Sequence, residues 1–163
     1  MIKVAIVDDN QINRITIKEK LAPYQDVFLV FEATNGEDFF DKLESLPKED
    51  YPQVVLMDLE MPILDGIVTI ASASIKFPEI KYIVLTIYED DDKIFEAIKA
   101  GASGYLLKED KAINIVEAMK NVVQFDGIPM SPAIARRAME LLRDTPKPTA
   151  SMQNAIIDHQ LSD

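Results

Sequence analysis

The chain has 163 residues, of which 48% are hydrophobic and 28% are charged, a composition typical of one globular domain and not of a disordered chain. It contains no cysteine and a single histidine, His159, which excludes disulfide scaffolds and cysteine nucleophiles and disfavours a Ser-His-Asp triad. The net charge of −11 predicts repulsion from nucleic acids and from anionic membranes. The start of the chain resembles neither a signal peptide nor a membrane span, so we expect a cytoplasmic protein.

Strand-like and helix-like patterns alternate as far as residue 125. The first strand is predicted at Ile2–Val7, and the first helix at Gln11–Leu21 has Ile12, Ile15, Ile17 and Leu21 available for one face. The other predicted strands are Val27–Ala33, Gln53–Met57, Lys81–Thr86 and Ser103–Leu107, and the other helices are Gly36–Leu46, Gly66–Phe77, Asp90–Ala100 and Lys111–Phe125. This alternation predicts an α/β fold, a doubly wound five-stranded parallel sheet with helices on both faces.

The pattern changes after Gly127. Ser131 and Pro132 are a typical cap and first residue of a helix, which we expect to continue to Leu142. The following stretch DTPKPTASMQN is rich in proline and small polar residues and predicts a linker. Residues 128–163 carry four basic and four acidic side chains. We therefore expect an acidic domain at 1–127, followed by an electrically neutral extra helix and linker at 128–163.

Charged and hydroxyl side chains lie at the ends of four predicted strands. Asp8 and Asp9 follow the first strand, Asp58 follows the third, Thr86 ends the fourth and Lys108 follows the fifth. Taken singly, each is more readily explained as a cap, a strand terminator or a solvated surface residue. Together they converge on the sheet edge where α/β folds bind ligands. Neighbouring carboxylates repel one another unless a cation neutralises them, and Mg²⁺ prefers such oxygen ligands.

Four segments, in this order and spacing, resemble the receiver domain of two-component response regulators. They are VDD at 7–9, MDLEMPILDG at 57–66, LT at 85–86 and GYLLK at 104–108. The resemblance covers residues 1 to about 127 and implies a flavodoxin-like sheet of strand order 2-1-3-4-5. It also implies that Asp58 accepts a phosphoryl group from a phosphohistidine on a sensor histidine kinase.

The same resemblance assigns roles to the other residues at this edge. It implies that Asp9 binds Mg²⁺ directly, Asp8 binds it mainly through water, and the backbone carbonyl of Glu60 is a further ligand beside Asp58. It implies that Thr86 and Lys108 contact phosphoryl oxygens. Tyr105 resembles the aromatic switch residue that turns inward when Thr86 moves.

Features outside the acidic edge resemble the NarL/FixJ type of regulator. Glu109 stands where many receivers have proline after the lysine, so we expect a trans peptide there. Leu161-Ser162-Asp163 resembles the opening of a helix-turn-helix domain, and we expect a longer transcription factor that contacts DNA only through that further domain. The resemblance further implies kinase recognition by the first helix and, on phosphorylation, a homodimer. The alternative is a stand-alone receiver that acts only through protein contacts.

Three other classes fit the sequence less well. A haloacid dehalogenase-type phosphatase needs an early DxDxT motif, whereas this chain has VDDNQ. A flavodoxin needs a phosphate loop rich in Ser, Thr and Gly after its first strand, and DDNQINR is not one. A pseudo-receiver that only binds partners has no need for the complete acidic set.

Overall fold

The structure is a computed structural model and describes residues 1–144; the predicted linker, His159 and Leu161-Ser162-Asp163 lie outside the described residues. The strands are β1 (Ile2–Val7), β2 (Val27–Ala33), β3 (Val54–Met57), β4 (Lys81–Thr86) and β5 (Gly104–Leu107). The helices are α1 (Gln11–Leu21), α2 (Gly36–Glu44), α3 (Gly66–Lys76), α4 (Asp91–Ala100), α5 (Ala112–Gln124) and α6 (Pro132–Asp144). None of these helices is long and apolar enough to cross a membrane.

The sheet is parallel and has the strand order β2-β1-β3-β4-β5, which confirms the predicted fold class. Successive residues of a strand face opposite sides of the sheet. In β1, Val4 and Ile6 therefore join the core under α1 and α5, while Ala5 and Val7 join the core under α2, α3, α4 and α6. All four residues of β3 are buried, because helices cover both faces of a doubly wound sheet.

Helix α1 differs in one respect from its prediction. Ile17 and Leu21 are buried against the sheet, whereas Ile12 is 73% and Ile15 is 42% exposed. The four residues span more of the helix circumference than one buried face can hold at 3.6 residues per turn. The assignment of Ile12 and Ile15 to the buried face was wrong, and both lie on the outer surface.

Helix α4 begins one residue after its predicted start and ends at the predicted residue, Ala100. Asp91 and Asp92 lie in its first turn, where the helix dipole favours acidic side chains. Gly101 ends it with a φ of 112°, and the Ala102 N–H donates to the Ala97 carbonyl. Only glycine adopts this backbone conformation without strain.

Residues 128–144 pack on the edge of the sheet. The segment before α6 pairs with β5: the Tyr105 N–H donates to the Pro129 carbonyl at 3.0 Å, and the Ser131 N–H donates to the Tyr105 carbonyl at 3.1 Å. Ile134 in α6 has no exposed surface and belongs to the core beneath α4. Pro132 is the first residue of α6, as predicted. The Ser131 hydroxyl accepts a hydrogen bond from the Leu107 N–H and donates one to Asp110, so it fastens the end of β5.

Candidate functional site

Three carboxylates meet at the carboxyl edge of the sheet. Asp8, Asp9 and Asp58 each offer an oxygen, and these oxygens lie within 4.8 Å of one another. The pairing of β1 with β3 produces this arrangement, because Val7 lies beside Met57 and the Asp58 N–H donates to the Val7 carbonyl at 2.9 Å. Asp8 is 1% and Asp58 7% exposed, while Asp9 is exposed. The cluster is therefore buried on its inner side and open at Asp9.

The ammonium group of Lys108 lies beside the two buried carboxylates. Its nitrogen is 2.8 Å from Asp8 Oδ2 and 3.4 Å from Asp58 Oδ1. Asp8 Oδ1 accepts a hydrogen bond from the Asn10 N–H, whereas the buried Oδ2 accepts none, because the nearby ammonium is not aligned to donate to it. The ion pair with Lys108 compensates the charge of this buried oxygen, but its hydrogen-bonding capacity stays unused, which is costly for a buried polar atom.

The residues present fit a hard divalent cation. All donors at the cluster are oxygens, two of the carboxylates are buried, and Asp8 Oδ2 lacks a hydrogen-bond donor. Mg²⁺ takes such ligands and keeps water or phosphate oxygens on its open side. Asp8, Asp9 and Asp58 would hold it through their carboxylates.

The surroundings of Asp58 make its carboxyl group less acidic than usual. Burial, reinforced by the carboxylate of Asp8, raises the pKa of Asp58 from 3.8 to about 6, against the opposing effect of Lys108. Asp58 is still mainly ionised at pH 7. A bound cation would favour the ionised form further, since opposite charge nearby lowers the pKa of a carboxyl group.

The loop that follows Asp58 requires glycine at position 66. A Cβ atom there would lie 2.0 Å from the Asp58 carbonyl oxygen, well inside contact distance. The Gly66 N–H donates to the Leu59 carbonyl at 2.7 Å, and the Asp65 carboxylate caps α3 through the Val68 N–H. The loop is thus folded tightly against the backbone of Asp58.

Thr86 and Lys108 come together at the ends of neighbouring strands. The Lys108 N–H donates to the Thr86 carbonyl at 2.9 Å, and Thr86 is fully buried with its hydroxyl accepting from the Tyr88 N–H at 3.3 Å. A cleft of about 220 Å³ adjoins them and is also lined by Glu109. The Lys108–Glu109 peptide is trans, as predicted.

Tyr105 lies inside the protein. It has no exposed surface, and its hydroxyl donates to the Tyr88 backbone carbonyl at 2.8 Å. Burial raises the pKa of this hydroxyl well above its ordinary value. The inward orientation that the family resemblance links to the switched state is the one in this structure.

The side chain of Glu60 is hydrogen-bonded to two residues near the start of α4. The Tyr88 hydroxyl donates to Glu60 Oε2 at 2.7 Å, and the Lys93 ammonium donates to Glu60 Oε1 at 2.6 Å. The hydrogen bond from Lys93, followed by that from Tyr88, holds the pKa of Glu60 below its usual range. Sequence reasoning placed Glu60 near the pocket but missed Lys93, because a lysine in the first turn of α4 has no distinguishing pattern.

A doubly wound sheet of order 2-1-3-4-5 with three aspartates and a lysine at its carboxyl edge is typical of the receiver domains of signalling proteins. The family model "Response regulator receiver domain" matches residues 4–120. The chain therefore belongs to the response regulator receiver domain family, a family of two-component signalling proteins that uses Mg²⁺ at its acidic pocket.

The relatives are named as transcriptional regulatory proteins or as response regulator proteins. The chain is 35% identical over 123 residues to the transcriptional regulatory protein DegU of Brevibacillus brevis, covering 76% of this chain and 50% of that protein. It is 32% identical over 127 residues to the response regulator protein VraR of Staphylococcus saprophyticus, covering 78% and 59%. It is 37% identical over 120 residues to LiaR of Bacillus subtilis, covering 74% and 55%. The chain thus spans between half and three fifths of these proteins.

Solved structures share the fold. A LuxR-family two-component response regulator from Aurantimonas sp. SI85-9A1 superposes with a TM-score of 0.79 at 24% identity, covering 88% of this chain and 99% of that one. The isolated receiver domain of RcsB from Salmonella enterica serovar Typhimurium, solved with the phosphomimetic BeF3⁻, has a TM-score of 0.73 at 24% identity, covering 83% and 97%.

Proposed function

We propose that Asp58 is the phosphoacceptor of this receiver, with a sensor histidine kinase as its phosphodonor. The observation that carries the proposal is the convergence of the Asp8, Asp9 and Asp58 carboxylates within 4.8 Å, with the Lys108 ammonium 3.4 Å from Asp58. Mg²⁺, held by these carboxylates and by the backbone carbonyl of Glu60, would neutralise charge on the transferred group. The chain then catalyses only its own phosphorylation and slow dephosphorylation.

The residues of the chain suit an in-line phosphoryl transfer. An Asp58 carboxylate oxygen attacks phosphorus and forms an acyl phosphate, while the P–N bond of the phosphohistidine breaks and its electron pair returns to the imidazole, which takes up a proton. Such transfers need positioning and charge neutralisation more than covalent chemistry. Lys108 would pair with one phosphoryl oxygen, and the Thr86 hydroxyl would donate to another.

Intact mass measurement tests the proposal. Incubated with Mg²⁺ and acetyl phosphate, the wild-type protein should gain one phosphoryl group and the Asp58→Asn variant none. Asp50→Asn, which removes an exposed carboxylate from the surface, should behave as wild type. Without Mg²⁺, the wild-type protein should take up no phosphoryl group. Equal uptake by Asp58→Asn and wild type would show that the acceptor lies elsewhere.

The response to phosphorylation should involve Thr86, Tyr105 and α4. When Thr86 turns toward the phosphoryl group, its hydroxyl must leave the Tyr88 N–H, and Tyr88 is also bound to Tyr105 and Glu60. Beryllofluoride should therefore shift amide resonances across 90–105 and not only beside Asp58. Shifts confined to the neighbours of Asp58 would contradict this part of the proposal.

The proposed output is control of transcription by the whole protein. It is supported by relatives named as transcriptional regulators and by RcsB, whose structures include two dimers bound to two parallel DNAs. A homodimer formed on phosphorylation, DNA contact through a further helix-turn-helix domain, and a cytoplasmic location belong to the same proposal. Light scattering with and without beryllofluoride tests the dimer.

A further inference from the structure

Lys108 lies in a tight turn that is fastened from α1. The Asp110 N–H donates to the Leu107 carbonyl at 3.0 Å and closes the turn. The ammonium group of Lys20, close to the end of α1, donates to the Lys108 carbonyl at 2.8 Å and to the Asp110 carbonyl at 2.9 Å. One side chain, 88 and 90 residues away in sequence, thus binds both sides of the turn.

These contacts are stronger than ordinary turn hydrogen bonds. Hydrogen bonds from a charged donor are shorter and roughly twice as strong as those between neutral groups. Lys20 and Lys18 are both half-buried, but the Lys20 ammonium binds two backbone carbonyls, whereas Lys18 on the same helix forms an ion pair with Glu32. Lys20 is therefore distinguished from its neighbour by what it binds and not by its charge.

The anchoring matters because the side chain of Lys108 is long and flexible. A lysine ammonium is a point charge on a flexible four-carbon stem, which loses rotamer entropy when it is fixed. Its location depends on where its backbone is held. In this structure the Lys108 ammonium lies 2.8 Å from Asp8 and 3.4 Å from Asp58, and only 16% of its side chain is exposed.

We propose that Lys20 is a positioning residue for phosphoryl transfer: by binding the carbonyls of Lys108 and Asp110 it fixes the turn from which the Lys108 ammonium reaches Asp58. The inference rests on the proposed function, in which Lys108 pairs with a phosphoryl oxygen. It also gives α1 a direct contact with the site, since Arg14 of the same helix donates to the Asp8 carbonyl at 2.7 Å. Helix α1, which the resemblance implies contacts the kinase, thus binds both the backbone of Asp8 and the turn that contains Lys108.

The test compares Lys20→Met with Lys18→Met in the full chain. At saturating Mg²⁺, Lys20→Met should slow phosphorylation by acetyl phosphate at least about tenfold, since small misplacements of a reacting group have effects of this size. Lys18→Met should stay within about twofold of wild type, since Lys18 binds Glu32 and makes no contact with the Lys108 turn. Titration calorimetry should show weaker beryllofluoride binding but undiminished Mg²⁺ binding by Lys20→Met, because a loosened Lys108 competes less with the cation.

A double-mutant cycle separates positioning from general destabilisation. Lys108→Met should be slower than Lys20→Met, and adding Lys20→Met to it should have no further effect, because the group being positioned is already gone. A further slowing by the same factor as in wild type would overturn the proposal. So would a wild-type rate for Lys20→Met, or a parallel loss of Mg²⁺ and beryllofluoride binding.

A labelling experiment keeps the two proposals distinguishable. An N-hydroxysuccinimide ester followed by peptide mass analysis measures the reactivity of the Lys108 amine without any phosphorylation. Lys20→Met should raise this reactivity several-fold relative to Lys18→Met, and an unchanged reactivity would overturn the positioning role. If the wild-type protein itself takes up no phosphoryl group, the proposed function fails, while the labelling result still decides whether Lys20 places Lys108.

Discussion

The Tyr105 hydroxyl is hydrogen-bonded to the backbone carbonyl of Tyr88 at 2.8 Å. This bond joins the centre of β5 to the segment between β4 and α4. This segment follows Thr86, the last residue of β4, and leads into the first turn of α4, where Lys93 pairs with Glu60. A change at the acidic cluster can therefore reach α4 through a short series of direct contacts, which is the kind of two-state element that a local electrostatic event can bias.

Replacing Tyr105 by Phe should uncouple this segment from the sheet. The ring stays in the core, but the Tyr88 carbonyl loses its donor, at a cost of about 1 kcal/mol of stability. We expect near-normal phosphorylation of Asp58 and a smaller spread of beryllofluoride-induced shifts into α4. Tyr82→Phe is the matched control, because that buried hydroxyl donates to the Ala73 and Phe77 carbonyls. A full α4 response in Tyr105→Phe would contradict the prediction.

Asp58→Asn should stabilise the metal-free protein, and the gain should depend on pH. The pKa of Asp58 is raised to about 6 in the folded protein from 3.8, so its contribution to stability is complete below about pH 4 and is lost as the pH rises through 6. The neutral amide avoids that loss. The gain should be about 1 kcal/mol at pH 4.5 and reach at most about 3 kcal/mol at pH 8.

Urea denaturation in the presence of a chelator measures this difference. Asp50→Asn is the control, since it makes the same change from carboxylate to amide at an exposed position. Saturating Mg²⁺ should stabilise the wild type more than Asp58→Asn, because binding to the folded state alone adds stability. A gain for Asp58→Asn that is equal at pH 4.5 and pH 8 would show that burial of the charge is not its cause.

The sequence was informative wherever local pattern and strand order determine position. The fold and the meeting of Asp8, Asp58 and Lys108 follow from the alternation of strands and helices and from the rule that parallel strands end at one edge. The burial of Tyr105 and the anchoring of the Lys108 turn by Lys20 and Ser131 did not follow. These contacts join residues tens of positions apart, so no periodicity or spacing reports them.

The conformation of Ile63 was also beyond local prediction, since a β-branched residue disfavours it. Ile63 has a φ of 69° and is 77% exposed, and the Leu64 N–H donates across it to the Pro62 carbonyl at 2.7 Å. This is the hydrogen bond of a γ-turn, which is strained when φ is positive. The turn directs Leu64 back into the protein, where its carbonyl accepts from the Gly36 N–H.

Ile63→Gly should therefore stabilise the protein. Relief of left-handed strain is worth about 1–2 kcal/mol, and the extra chain entropy of glycine offsets about 0.5–1 kcal/mol of it. We expect a net gain of up to about 1 kcal/mol in urea denaturation. Ile63→Asn should gain less, and Ile63→Val, which keeps the branched Cβ, should be neutral. A loss of stability in Ile63→Gly would mean that the side chain contributes more than its exposure indicates.

Ile134→Ala tests whether residues 128–144 fold together with the sheet. Ile134 has no exposed surface and lies in the core with Ile94 and Tyr105. If α6 unfolds in the same transition as the sheet, the truncation leaves a cavity and costs about 2–5 kcal/mol of global stability, with an unchanged dependence of unfolding free energy on urea. If α6 instead detaches before the sheet unfolds, the urea midpoint of global unfolding should not change. The truncation would then destabilise only the local attachment of α6. We expect the first result, since backbone pairing of Tyr105 with Pro129 and Ser131 ties the segment to β5.

Leu142→Ala in the same helix is the control. This side chain is 73% exposed, and its truncation should change stability by less than about 0.5 kcal/mol.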